Sequence, residues 1–209
     1  MARDKIRPDT TKRPMRERVL DAAEHLLSQG SAAFSMRELA DAAGVSFATP
    51  FNQFGSKSAI MLALSARRIT LMHERLAQAD LPDAAAARVL ATVDIAASVM
   101  LMAPTVNRAV MGAISAPSDA PGDVSSRSSA LWAAALGSGN RLAAATRVLA
   151  LSTLPDQLAV AFRGVLSFWT AGELADPALG RRARAAAAAV MLGFVEHDGR
   201  EELLVLLQN

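Results

Sequence analysis

Ser35-Met-Arg-Glu-Leu-Ala-Asp-Ala-Ala-Gly-Val-Ser46, followed by Phe47-Ala-Thr-Pro-Phe-Asn-Gln-Phe-Gly-Ser-Lys57, is the most informative run in this 209-residue chain. Ser35 with Glu38 three places on is a capping box: the serine hydroxyl accepts from the Glu38 amide, and the Glu38 carboxylate reaches back. Met36, Leu39, Ala40 and Ala43 form the apolar face of the short helix that follows. Gly44 can take a positive φ, which a tight turn after that helix needs. Ser46 offers a second N-cap, for a helix running to Phe54 and ended by Gly55. Ser56 caps a further helix. Two short helices joined by a glycine-containing turn form a helix-turn-helix, whose second helix can enter a DNA major groove. In that geometry Ala40 must be small where the helices cross, and Val45 fills the angle between them. The same pattern also fits an ordinary helical hairpin within a bundle.

Upstream, Val19, Leu20, Ala23, Leu26 and Leu27 recur at helical spacing, giving a first helix of about residues 15–29. Before it lies a basic arm. Residues 1–57 hold nine Lys/Arg against seven Asp/Glu, whereas residues 58–209 hold thirteen of each, so the net charge of +2 is all N-terminal. A basic arm can lie along phosphates or enter a minor groove; a solvated tail is the alternative.

Taken with Arg16-Glu-Arg-Val-Leu-Asp-Ala-Ala23, the run strongly resembles the TetR family of regulators over about residues 15–65. The resemblance implies an all-α fold: an N-terminal three-helix helix-turn-helix domain and a C-terminal helical domain for ligand binding and dimerisation. It divides the chain into a flexible arm (1–14), a DNA-binding domain (15–57) and an effector-binding and dimerisation domain (58–209). It implies a homodimer reading palindromic double-stranded DNA, usually as a repressor released by a small effector. Carried over residue by residue, Ser35, Arg37, Thr49 and Lys57 would hold phosphates, while Phe47, Ala48, Asn52 and Gln53 would face base edges.

Two departures stand out. Pro50 replaces an aliphatic residue and has no amide; with Ser46 as N-cap its ring would press on the Ser46 carbonyl, which predicts a loosened or shifted start to the recognition helix. Phe51 stands where the family usually has tyrosine, and Phe47 replaces a commonly polar residue, so the recognition surface is unusually apolar. A rival reading follows: a small-molecule-binding or sequestering helical protein with an impaired DNA-binding domain.

The rest of the chain reads as helices: about 56–79, 83–102, a short one from Pro104, then 124–137, 140–152, one from Pro155 to about Leu174, one capped by Asp176 and running to about Glu196, and a last turn over 200–207. Residues 115–123 read as a loop. Val190, Met191, Phe194, Leu166 and Trp169, beside the small surface around Ala186, form the expected dimer seam. Met100, Met102, Met111, Trp132, Phe162 and Phe168 are candidates to line an apolar effector cavity, with Asp94, Asn107 and Arg108 as its polar groups; plain core is the alternative.

The chain has no cysteine, and His25, His73 and His197 show no metal spacing, so no metal or other cofactor is expected. No phosphate loop or nucleophile motif is present, which argues against an enzyme. The first sixteen residues carry no apolar signal core, and the longest apolar run, 185–195, is too short for a bilayer. A cytoplasmic protein without a membrane partner is the expectation.

Overall fold

In a computed structural model, residues 13–116 and 122–208 are described, and they form ten α-helices. The basic arm expected over residues 1–14 thus lies largely outside the described residues, as does most of the loop expected over 115–123.

Helix α1 (Met15–Ser28) buries Val19, Leu20, Ala23 and Leu27 on one face. Helix α2 (Met36–Ala43) starts at Ser35 with both bonds of the capping box in place and ends at Gly44, whose φ of 62° is left-handed. Helix α3 (Ala48–Phe54) and the long α4 (Lys57–Gln78) follow. The second half comprises α5 (Ala85–Leu101), α6 (Pro104–Ala113), α7 (Val124–Leu136), α8 (Arg147–Thr170), α9 (Asp176–Met191) and α10 (His197–Leu207).

Three expectations need correction. Residues 140–146 are not helical. Gly137, Gly139 and Arg141 all take positive φ, and the segment is pinned as a loop by an antiparallel bridge between Leu142 and Val195. Pro155 does not begin a helix but lies inside α8. Its missing amide removes one backbone bond, yet Ala150, Leu154, Leu158 and Phe162 on either side are buried, and their burial carries the helix through. Finally, Ala175 rather than Asp176 is the N-cap of α9. The Asp176 carboxylate instead accepts from Trp169 Nε1 at 2.8 Å and pairs with Arg108.

There are two cores. The first gathers α1, α2 and Phe34 around Ile60, Met61 and Leu64 of α4, and takes in Val106 and Val110 of α6. The second is larger and contains Met72 and Leu76 of α4, Met111 of α6, and the buried faces of α5, α7, α8 and α9. Helices α4 and α6 therefore belong to both. Neither can shift without disturbing close-packed side chains at both ends.

The turn between α2 and α3 is fixed from outside as well as by Gly44. One guanidinium nitrogen of Arg18 donates to the carbonyls of Ala43 and Gly44, both at 2.8 Å. A Cβ at position 44 would lie 3.2 Å from that nitrogen. Gly44→Ala is expected to cost about 1–2 kcal/mol from the left-handed backbone alone, seen as a lower urea midpoint with an unchanged slope. A wild-type midpoint would show that the turn tolerates a side chain.

Candidate nucleic-acid interface and internal cavity

Helix α2 is bracketed by two cations, Arg18 at the turn after it and Lys57 at the loop before it. Lys57, in the first turn of α4, donates to the carbonyls of Ala32 (2.8 Å) and Phe34 (2.9 Å), and its ammonium lies 4.2 Å from the Phe34 ring centroid. Desolvation holds its pKa below the ordinary lysine value, against the opposing charge of Glu38. Glu38 is itself held below the usual carboxylate value by its bonds to the Ser35 backbone and hydroxyl. A depressed carboxylate contributes stability above its ordinary pKa and loses it as pH falls through the folded value, so acidification weakens this cap.

Between these anchors α3 presents an exposed face. Phe47 and Phe51 are 53% and 42% exposed and meet edge-on, with ring centroids 5.6 Å apart. The Arg37 guanidinium lies 5.6 Å from the Phe47 centroid. Ala48, Asn52 and Gln53 are exposed beside them. Ser35 is exposed, and its hydroxyl accepts from the Glu38 amide at 3.2 Å. Thr49 is placed differently from expectation: it is buried, its amide donates to the Ser46 carbonyl at 2.9 Å, and its hydroxyl pairs with that of Ser46 at 2.8 Å. It has little surface to offer a phosphate. Ser46 accordingly does not cap the helix through its side chain; Phe47 is the N-cap, and α3 starts at Ala48.

A cavity of about 60 Å³ lies in the second core, among α4, α5, α6, α7 and α8. Of the residues read from sequence as lining it, Met100, Asn107, Met111 and Phe162 do so. The others sit elsewhere. Asp94 is exposed and pairs with Arg184 of α9. Arg108 covers the Trp169 ring, 4.4 Å from its centroid. Trp132 is fully buried behind Phe162, and Phe168 and Met102 are exposed. Sequence reading missed Ser65, Arg68, Ile69 and Met72, whose spacing of three, one and three marks one face of α4. It missed Arg163 too, and placed Leu166, which lines the cavity, in the dimer seam.

The remaining dimer candidates divide in the same way. Ala186, Val190 and Phe194 are half-buried. Trp169 and Met191 have no exposed area, so they have no surface left for a partner. Among the described residues no cluster of His, Asp or Glu could hold a metal, and no single helix is long and apolar enough to cross a membrane.

Polar contacts run from the cavity to α1. Asn107 is 1% exposed; its amide nitrogen donates to the carbonyls of Val99 (3.3 Å) and Met100 (2.7 Å), and its oxygen accepts from Arg68 at 2.8 Å. Arg68 also pairs with Glu24 of α1 at 3.0 Å. The adjacent Arg67 pairs with Glu17, Asp21 and Glu24. Desolvation opposes the Arg67 charge, but these carboxylates outweigh it and its pKa is raised.

The sequence model of the bacterial regulatory proteins of the tetR family matches residues 19–64. No curated protein matches the sequence. Among solved structures, the chain is similar to a TetR transcriptional regulator from Rhodococcus sp. RHA1, at 20% identity and TM-score 0.65, covering 85% of this chain and 95% of that one. It is also similar to a putative tetR family transcription regulator from Shewanella sp. PV-4 (14%, TM-score 0.51, 88% and 100% covered). A third is the TetR family protein CprB from S. coelicolor A3(2) (19%, TM-score 0.51, 92% and 95% covered). At these identities the structures establish a shared fold.

Asn107→Ala is expected to lower stability by about 2–3 kcal/mol, because it leaves two carbonyls and a guanidinium without their partner. Urea unfolding checks this. A loss below about 0.5 kcal/mol, the level of an unremarkable surface change, would show that Asn107 is not the joint between α5, α6 and Arg68.

Proposed function

We propose that this chain is a regulator of the tetR family, whose sequence model matches residues 19–64, and that it acts as a homodimeric, sequence-specific repressor released by a small, mostly apolar effector. The observation that carries the reading is the exposed face of Phe47, Ala48, Asn52 and Gln53, which follows a turn braced by Arg18 and precedes the Lys57 that ties α4 to the loop before α2. Rigid support is what base readout demands.

In this reading residues 15–57 read DNA, and residues 58–209 bind the effector and dimerise. Asn52 and Gln53 pair with base edges, adenine being the base their amides match bidentately. Phe47 meets thymine methyls. Arg37, Ser35 and the third ammonium proton of Lys57 hold the backbone. Two copies of α3 must stand about 34–36 Å apart to read a palindrome. The exposed apolar side chains on α8, such as Val148, Val160 and Phe168, and the half-buried Ala186, Val190 and Phe194 supply surface for a two-fold contact.

The effector works by preferring one spacing of the recognition helices over the other. It enters among side chains of α4 and α6, which also belong to the DNA-binding core. The cavity is smaller than the roughly 300–1,000 Å³ of ordinary ligand sites, so an effector must spread the helices to fit. That expansion is the differential contact on which release depends.

The test is binding to DNA upstream of the protein's own coding region, by anisotropy at several salt concentrations with nonspecific competitor. Competitor-resistant binding is expected, and Asn52→Ala should weaken it by about ten- to a hundredfold, the range for loss of one base pairing. Weak binding equal on all DNA would overturn the repressor reading and favour a sequestering protein; Pro50→Leu would then show whether the proline has impaired the recognition helix.

A further inference from the structure

Arg163 lies where the internal cavity meets a second, outer cleft. Both spaces are lined by Arg163, Val124, Ser128 and Ala159. Inward, the surroundings are mostly apolar, with Ile69, Met72, Met100, Val110, Leu131 and Phe162 around the polar Ser65, Arg68 and Asn107. Outward, the cleft adds the hydroxyls of Ser115, Ser125 and Ser167. The guanidinium is thus the boundary between an apolar chamber and a hydroxyl-lined mouth.

Its partners are weak for a cation. One terminal nitrogen donates to Met111 Sδ at 3.4 Å and the other to Ser115 Oγ at 2.9 Å. Among the described residues no carboxylate pairs with it. Desolvation pushes its pKa below the ordinary arginine value, with no compensating charge. Arg68, the other guanidinium at the cavity, is different. It already holds Glu24 and Asn107, so its charge is compensated within the chain.

A half-buried cation without a counter-charge is costly, and an anion at this point would relieve that cost while gaining charge-assisted hydrogen bonds. Guanidinium presents a planar fork suited to the oxygens of a carboxylate or phosphate. The serines Ser125, Ser128 and Ser167 make no side-chain hydrogen bond among the described residues and stand ready as donors to the same oxygens. An apolar body attached to such a group has one direction to go, between the unbranched, adaptable side chains of Met72 and Met100.

We propose that the effector is an amphiphilic anion, its carboxylate or phosphate held by Arg163 at the mouth and its apolar body inside the cavity. This rests on the effector reading above and adds the charge that the reading left out. The ligand's head engages α8 and the α6–α7 side, while its body enters beside Arg68. Filling the chamber therefore presses on the side chain that ties α4 and α6 to α1.

The experiment is calorimetric titration of the full chain with octanoate and with 1-octanol, which share a carbon count, the alcohol having the longer apolar chain by one methylene. The wild type should bind octanoate about tenfold or more tightly than octanol, the yield of one hydrogen bond to a charged group. Arg163→Met should abolish that preference while keeping octanol affinity, which also reports that the cavity is intact. Arg163→Lys should retain part of the preference. Equal wild-type affinity for the two probes, or octanol alone binding, overturns the anionic assignment and leaves the cavity as an effector site. Binding of neither probe overturns both. Loss of both probes in Arg163→Met would make the residue a packing element, which also overturns its role as anchor.

Discussion

Helix α4 has to satisfy two cores at once. Its first half packs Ile60, Met61 and Leu64 against the recognition unit, and its second half packs Met72 and Leu76 against the larger bundle. Between these stretches Arg67 and Arg68 occupy consecutive positions, which point about 100° apart around a helix with 3.6 residues per turn. Both still reach acids of α1. Arg67 engages three carboxylates spaced over two turns, while Arg68 shares Glu24 and turns its other edge to Asn107. The first arginine fastens α4 to α1; the second fastens that joint to the cavity wall. Exposed ion pairs are worth little, but these guanidinia are partly buried and multiply bonded, so they fix geometry.

Rigidity at the recognition unit has a related origin. A seven-residue helix cannot hold itself in water, since isolated helices below roughly 12–15 residues are marginal. Helix α3 has Pro50 in it and Phe47, without a side-chain bond, as its cap. Its position is therefore borrowed: from the Ser46–Thr49 hydroxyl pair inside the turn, from Arg18 at the end of α2, and from the Lys57 ammonium that ties the base of α4 to the loop before α2. Arg18 also places a positive charge beside the last carbonyls of α2, where the helix dipole is negative. The exposed residues of α3 can then be polar or aromatic without regard to helix stability.

What the sequence disclosed follows from the range of the forces involved. The capping box of Ser35 and Glu38, the left-handed Gly44 and the apolar stripe of α1 are local features, and local spacing exposes them. Pro155 is the opposite case. Proline's local penalty is plain in sequence, but the burial that overrides it comes from distant helices. The composition of residues 140–146 permits a helix; the bridge from Leu142 to Val195 that holds them open as a loop spans more than fifty residues. Among candidate site residues, Met100, Asn107, Met111 and Phe162 do reach one cavity, whereas Arg108 and Asp94 satisfy their charges within the chain. A charged side chain reveals its role through its partner, and the partners Asp176 and Arg184 are 68 and 90 residues away.

The same accounting of partners separates structural from responsive cations. Arg18, Lys57, Arg67, Arg68, Arg88 and Arg108 each spend two or more hydrogen bonds or ion pairs on carbonyls, amides or carboxylates of another helix or loop. They are cross-braces, and each is accounted for by the fold. Arg163 has a thioether and a hydroxyl. A chain that pairs so many of its inward cations leaves this one, among the described residues, without an acid opposite it. Anything that supplies the charge stabilises the bound form in proportion to how poorly the free form is satisfied. In the proposed repressor, the unsatisfied charge of Arg163 would add to the expansion of the cavity as a source of differential affinity.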